Sequence, residues 1–330
     1  MQVLKKGMVI IMKKGLTKDW ILNHGSDVLS YGGLLLCIIL FGILSQGKLF
    51  NAYNLRILIH AACVYAILSM GAIFIYSMGY MDISVGAQLG VYSILLILIS
   101  NKTGSLLLAF GVVLVISLIC GLINGYVAVM LGLPSIVTSI FLMSIFGGVQ
   151  ILAMEKIGIN SISIKANMDL FADVKFMIVV IVVIAIIAVY LFRFTQLGEY
   201  VKSIGANETA TEYAGISTTR WKVMAYIFFG ICVAVAAFML TARSGAAGKG
   251  TGNGYAMYIM VALLLGGMPL SGGMKSKISS SLIGAFTYVI LSNGLTLAGV
   301  SVEVGYVIKA LLFLAVILIT CRKKDGVLPR

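Results

Sequence analysis

TGSLLLAFGVVLVISLICGLINGYVAVMLGLPSIVTSIFLMSIFGGVQILAM, residues 103–154, runs for 52 positions without an acidic residue, a lysine or an arginine. A bilayer crossing takes about 20 apolar residues, so this block is too long for one helix and long enough for two. It breaks naturally at Gly132-Leu133-Pro134, because proline has no N–H to donate and fits the first turn of a new helix. Working outward, further uncharged stretches lie at 28–47, 57–81, 83–101, 176–192, 223–242, 250–274, 278–302 and, around Lys309, 304–320. The expectation is an all-α polytopic membrane protein of about ten transmembrane helices.

Composition agrees. The 330 residues are 61% hydrophobic and 11% charged, with a mean hydropathy of +1.09, whereas soluble domains carry about 25% charge. A transmembrane β-barrel is excluded, because its strands alternate and produce no long uncharged runs. The expected organisation is an N-terminal cytoplasmic segment at 1–27, a membrane domain at 28–320 and a cytoplasmic tail at 321–330. The run at 28–47 is longer than the apolar core of a signal peptide, and Ser45-Gln46-Gly47-Lys48 lacks a small-residue cleavage pattern. It reads as a retained first helix.

Ten spans put both termini on one side. With both ends inside, cytoplasmic segments hold fifteen lysines and arginines and outer loops hold eight, the sense of the positive-inside rule. Loop orientation therefore accounts for the net charge of +13. No compact basic and aromatic surface for nucleic acid is visible, and the extended contact is with membrane lipid. The five cysteines are scattered and His24 and His60 stand alone, so neither a metal site nor a disulfide framework is expected. No cofactor is implied. There is no Gly-x-x-x-x-Gly-Lys-Ser/Thr phosphate loop and no base–nucleophile set; the chain reads as a non-enzyme.

Two segments carry polar chemistry. The loop at 193–222 contains GEYVKSIGANETATEYAGI, residues 198–216. Apolar residues at 200, 201 and 204, then at 210, 213 and 214, form i, i+3, i+4 stripes. Gly205 divides two short helices, Asn207 is an N-cap and Gly215 a C-cap. Such a pair can dock in a partner's groove or lie on the bilayer; Glu208 and Glu212 favour a protein partner, since bilayer helices carry a basic polar face. The second segment surrounds Asp82, the one acidic residue between Asp27 and Glu155. Either it is an intramembrane functional group in a broken backbone allowed by Gly79, Ser84 and Gly86, or it caps the next helix from a short turn. Asn124, Gln150, Asn293 and Thr296 are polar residues within apolar spans and candidates for lining a hydrophilic path. Glycines such as Gly121 and Gly125 suit close helix packing in lipid. An internal echo pairs residues 79–86 (GYMDISVG) with 266–273 (GGMPLSGG), as in transporters built from repeats.

These residues resemble a known family, the permease subunits of bacterial ABC importers for simple sugars of the ribose, xylose, arabinose and galactoside type. GYMDISVG is similar to that family's Gly-Gly-Ile-Asp-Leu-Ser-Val-Gly. Residues 134–148 (PSIVTSIFLMSIFGG), 198–216 and 266–300, ending in NGLTLAGV, resemble further family segments in the same order. The resemblance implies alternating access driven by ATP hydrolysis in a separate ABC ATP-binding subunit. It also implies an extracytoplasmic solute-binding protein, a second copy of the chain, and a pentose-like sugar as default cargo. It places the chain in the bacterial inner or plasma membrane. By this resemblance Gly198, Glu199, Gly205, Asn207, Glu208, Ala210, Gly215 and Ile216 belong to the loop that couples to the ATPase, and Asp82, Ser84, Asn124, Asn293 and Thr296 are candidates for the translocation path. Met268 and Pro269 stand where the family carries Thr and Ser, and Ser292 and Thr296 replace asparagines; these departures leave the solute open. The alternative is a secondary transporter of a small polar solute, which needs no docking loop and no partner.

Overall fold

A computed structural model describes residues 30–130 and 134–320. The expected segment 1–27, the tail 321–330 and Gly132-Leu133 of the expected break lie outside them. The elements in chain order are α1 (Ser30–Leu44), a short 3₁₀ turn (Lys48–Phe50), α2 (Ala52–Ser77), α3 (Val85–Thr103), α4 (Leu106–Met130), α5 (Ser135–Ile157) and β1 (Ser161–Ser163). Then follow α6 (Asp169–Ala172), α7 (Val174–Phe194), α8 (Gln196–Ala206), α9 (Glu208–Tyr213), α10 (Thr218–Ser244) and β2 (Ala246–Gly248). The chain closes with α11 (Tyr255–Leu265), α12 (Ser279–Leu297) and α13 (Val302–Thr320). The chain is an all-α polytopic membrane protein. Among the described residues, α2, α3, α4, α5, α7, α10 and α12 are long and apolar enough to cross a bilayer. The long uncharged block divides as its proline requires: Pro134 stands immediately before α5.

The helices sort into a buried core and a lipid-facing jacket. On α2 every residue from 62 to 77 except Tyr65 is buried, and α10 packs beside it, Phe74 meeting Phe228 at 4.8 Å between ring centres. By contrast α4, α5 and α7 expose Leu107, Ile119, Ile145, Val179 and Ile186, apolar all round as lipid contact demands. Small residues set the α4–α10 crossing. A Cβ on Gly121 would sit 2.8 Å from the Tyr226 carbonyl oxygen, one on Gly125 2.8 Å from Val223 Cα, and one on Gly230 2.7 Å from the Ser117 carbonyl oxygen. Backbones this close gain dispersion over a long line of contact, which is what holds helices together where lipid tails are as apolar as leucine.

The structure departs from the expected spans at 250–274. Only Tyr255–Leu265 of it is helical, about 16 Å of helix against a hydrocarbon core about 30 Å thick. The preceding backbone is a short strand, β2, followed by a run of turns at 249–254. β2 pairs antiparallel with β1 (Ser161↔Gly248, Ser163↔Ala246) near Asn101, whose amide donates to the Ser163 carbonyl at 2.9 Å. Residues 249–254 then run down α3 until Gly252 meets Gly86, about 22 Å from the level of Asn101. A non-helical backbone at that depth needs internal hydrogen-bond partners. Gln150 of α5 supplies them, its amide donating to the carbonyls of Gly248 at 2.7 Å and Thr251 at 3.0 Å.

The two echoing segments meet at the opposite end of the bundle from the β-ribbon, where the Gly273 N–H donates to the Ser77 carbonyl at 2.8 Å. Both follow a helix that ends in the same way. Tyr80 N–H returns to Ile75 and Met268 N–H to Leu263, with Gly79 and Gly267 in the left-handed region at φ 77° and 83°. The structural register thus pairs Gly79 with Gly267, one residue from the alignment by letters, because the helix terminus needs glycine at the left-handed position.

Candidate functional site: a polar cleft and a capped helix pair

At the β-ribbon end, three adjoining cavities form one cleft that runs from between α2, α11, α12 and α13 to between α2, α6, α7 and the end of α10. The first, about 230 Å³, is lined by Tyr65, Tyr258, Tyr288, Ser292, Thr296 and Lys309 among others. The second, about 190 Å³, shares Tyr65, Ser292 and Thr296 and adds Ala61, Arg243 and Asn293. The third is wider, about 800 Å³, with Arg56, His60, Asp169, Asp173, Lys175 and Arg243 at its rim. Helical spacing produces the lining: Tyr288, Ser292 and Thr296 follow one another at i, i+4 and i+8 along one face of α12. Tyr306 and Lys309 stand three apart on α13. The aromatic wall is continuous. Tyr258 stacks on Tyr288 at 5.3 Å and 25°, and Tyr65 meets Tyr288 at 5.2 Å.

Asn293 and Thr296, singled out from sequence, both line this cleft. The Asn293 side-chain oxygen is buried without a hydrogen-bond partner among the described residues. Asp82, Ser84 and Asn124 do not line it. Asp82 is 3% exposed, in the turn between α2 and α3, and the two readings of it merge: the turn is itself buried. Its Oδ1 accepts the Ser84 N–H at 2.8 Å at the start of α3 and also the Ser84 hydroxyl. Gln88 donates to Ser84 Oγ at 2.7 Å, and Tyr92 to Gln88 at 3.3 Å. Burial pushes the Asp82 carboxyl above the usual range, against the hydrogen bonds from Ser84 and Gln88 that hold it down. Oδ2 has no partner among the described residues. Asn124 is buried on α4, its side-chain oxygen also unpartnered.

The opposite end carries α8 and α9. Leu197, Gly198, Val201 and Ile204 turn inward on α8. Gly198 fits only because it lacks a Cβ, which would overlap the Phe192 carbonyl. The helix break falls at Asn207 rather than Gly205: the Asn207 side chain accepts the Ala210 N–H at 3.0 Å and caps α9. Gly205 lies inside α8, and a Cβ there would overlap the Ser77 carbonyl and approach Gly273 N to 2.7 Å. Glu208 turns inward to pair with Lys222 and accept from Tyr80, and Glu212 accepts from the Thr218 hydroxyl at 2.6 Å. Ala210, Tyr213 and Ala214 remain exposed, Tyr213 at 88%. Glu199 and Gly215 are exposed as well, and Ile216 is half-buried; Gly215, at φ 81°, follows α9 in the left-handed conformation of a C-cap.

Sequence reasoning missed the tyrosine wall, Arg243 and Lys309. The polar stripe on α12 and a lone lysine within an apolar run were the signals that could have found them.

Comparison with known proteins places these features. The chain is 27% identical to the ribose import permease protein of Escherichia coli (strain K12) over 316 residues, covering 93% of this chain and 96% of that protein. It is 28% identical to the ribose import permease protein of Bacillus subtilis (strain 168), covering 89% and 92%. It is 26% identical to the fructose import permease protein of Rhizobium meliloti, covering 87% and 82%. No solved structure matches the chain. Residues 54–317, which run from the start of α2 to within three residues of the end of α13, match the family described as the permease component of the branched-chain amino acid transport system, and the chain belongs to that family of transport permeases.

Proposed function

We propose that this protein is the membrane permease of an ATP-driven ABC importer for a simple sugar, working as a homodimer in a bacterial inner or plasma membrane. Ten crossings, made by α1 to α5, α7, α10, β2 with the turns and α11 that follow it, α12 and α13, put both termini and the α8–α9 end on one side, and the excess of lysine and arginine there makes that side the cytoplasm. An ATP-binding subunit docks on α9, and an extracytoplasmic solute-binding protein delivers cargo to the cleft. The observation that carries this reading is α9 itself: a short capped helix, clamped to the bundle through Glu208 and Glu212, presents Ala210 and Tyr213 to solvent. A secondary transporter has no use for such a surface. Asn293 and Thr296 line the outer path. Asp82 and Ser84, in the buried turn nearest α9 through Tyr80 and Glu208, belong to the inner gate.

Sugar is favoured over a branched-chain amino acid by the lining. An amino acid needs a carboxylate for its ammonium group, and no acidic residue lines the two inner cavities. Affinity purification in mild detergent is expected to recover an ATP-binding subunit and a binding protein carrying a sugar. Recovery of the protein alone, with solute moving in vesicles without ATP, would establish the secondary transporter; a bound amino acid would overturn the cargo.

Orientation has its own test. Cysteines at Gln196 and Lys165, both exposed, are expected to react with an impermeant maleimide from the inside only and the outside only, respectively. The reverse pattern would invert the topology.

A further inference from the structure

Lys309 lies inside the last expected span, where a cation is costly and is normally held by a partner. Neither the Lys222–Glu208 nor the Lys249–Glu155 ion pair includes it, and no carboxylate among the described residues pairs with it. Instead the Lys309 ammonium stands 4.7, 5.6 and 5.9 Å from the ring centres of Tyr306, Tyr258 and Tyr288, inside the cation–π range of about 6 Å. It donates to Ser292 Oγ at 3.4 Å. These groups face a cavity of about 230 Å³, roughly the space of eight waters at about 30 Å³ each.

The chemistry of that cavity is specific. An ammonium has three donors and no acceptor, so Lys309 keeps donor capacity after its bond to Ser292. The hydroxyls of Ser292, Thr296 and the tyrosines both donate and accept. The stacked rings of Tyr258 and Tyr288 offer a flat apolar wall. A sugar ring presents the matching parts: hydroxyl oxygens around its edge and a C–H face for an aromatic ring. A sugar uses the donors and the acceptors together, and an open-chain sugar acid such as ribonate lacks the ring whose C–H face would cover a tyrosine. The π faces already meet the lysine charge, so no counter-ion is required. We propose that Lys309 and the wall of Tyr258, Tyr288 and Tyr306 form a subsite for a neutral polyhydroxylated solute at the outer end of the path. The ammonium donates to solute hydroxyl oxygens while a tyrosine face covers the ring's C–H side. This assignment rests on the transport reading above and adds to it the residues that would hold the solute.

The test is saturation-transfer NMR on the full-length protein in lipid nanodiscs, with D-ribose, D-xylose and D-fructose as separate probes and D-ribonate as the anionic control. At least one neutral sugar is expected to receive transfer at its ring protons, and ribonate to receive less. Lys309→Met is expected to cut the transfer by about fivefold or more and Lys309→Arg to restore at least half of it, the cation–π and donor terms being shared by both cations. Should Lys309→Met fail to insert, Tyr306→Leu serves instead: Tyr306 is half-exposed on α13, and its loss is expected to weaken transfer several-fold with the helix intact. Equal transfer to wild type and Lys309→Met, stronger transfer to ribonate, or no transfer from wild type to any of the sugars each overturns the subsite. Co-purification of an ATP-binding subunit from the same preparation tells the two readings apart. With the subunit present and the transfer independent of Lys309, the subsite falls and the importer stands. With the subunit absent, the importer falls.

Discussion

Ala210→Arg combined with Tyr213→Asp is expected to abolish ATP-driven uptake and the recovery of the ATP-binding subunit, while leaving the permease in the membrane at its normal level. Both side chains are exposed, and neither makes a hydrogen bond, ion pair or ring contact among the described residues. Surface changes of this kind alter stability by about 0.5 kcal/mol or less. At an interface the same change is large. A central tyrosine contributes about 2 kcal/mol or more, and burying an unpaired charge beside it adds a penalty of similar size, together roughly a thousandfold in affinity. Glu208 is the wrong residue for this test. It is paired with Lys222 and accepts from Tyr80, so arginine there would repel Lys222 and damage the fold as well as any docking. Uptake and co-purification at wild-type levels in the double variant would remove α9 from the coupling surface.

Gly205→Ala is expected to reduce uptake by roughly a hundredfold, although helix propensity alone predicts a gain. Alanine in a helix interior is favoured over glycine by about 0.5–1 kcal/mol, so a loss must come from packing. The packing is unusually tight. The Ser77 carbonyl at the end of α2 accepts the Gly273 N–H at 2.8 Å, and Gly205 of α8 lies directly against that same pair. One carbonyl thus joins α2, α8 and the segment between α11 and α12. A methyl group there overlaps backbone rather than a side chain that could swing away, and such overpacking costs about 1–3 kcal/mol or more. About 2.7 kcal/mol against the joined arrangement is a hundredfold. This junction is the route by which a movement of α8 and α9 would reach the core helix α2. A lowered melting temperature in detergent together with lost uptake is the expected pair of results; a stabilised protein with normal uptake would show that helix propensity outweighs the contact.

Much of the architecture was legible in residues whose physics is local. Pro134 marks the start of α5 because proline cannot donate within a helix. Asn207 marks the start of α9 because its short side chain accepts an otherwise free N–H, and the Glu208 and Glu212 beside it were visible as an acidic, non-bilayer face. What those carboxylates bond to was not visible: Lys222 and Tyr80 are distant in sequence and meet Glu208 only through the packing of α9 on α10 and the α2–α3 turn. Gly205 was misread as the break between two helices for the same reason. A glycine within a helical stripe looks like a breaker until the carbonyl pressed against it is seen.

The sequence by itself determined the solvent. Uncharged runs of about 20 residues can satisfy their backbone in lipid only as helices, so the all-α membrane class, most of the crossings and the capped loop follow from composition and spacing. Tertiary structure alone decided that 249–254 descends as a run of turns rather than as helix, because that needs Gly86 and Gly90 on α3 to leave room and Gln150 on α5 to donate to the carbonyls of Gly248 and Thr251. It alone decided the cleft as well. Tyr65, Tyr258, Tyr288 and Lys309 sit on four different helices, and no local pattern records that their faces converge.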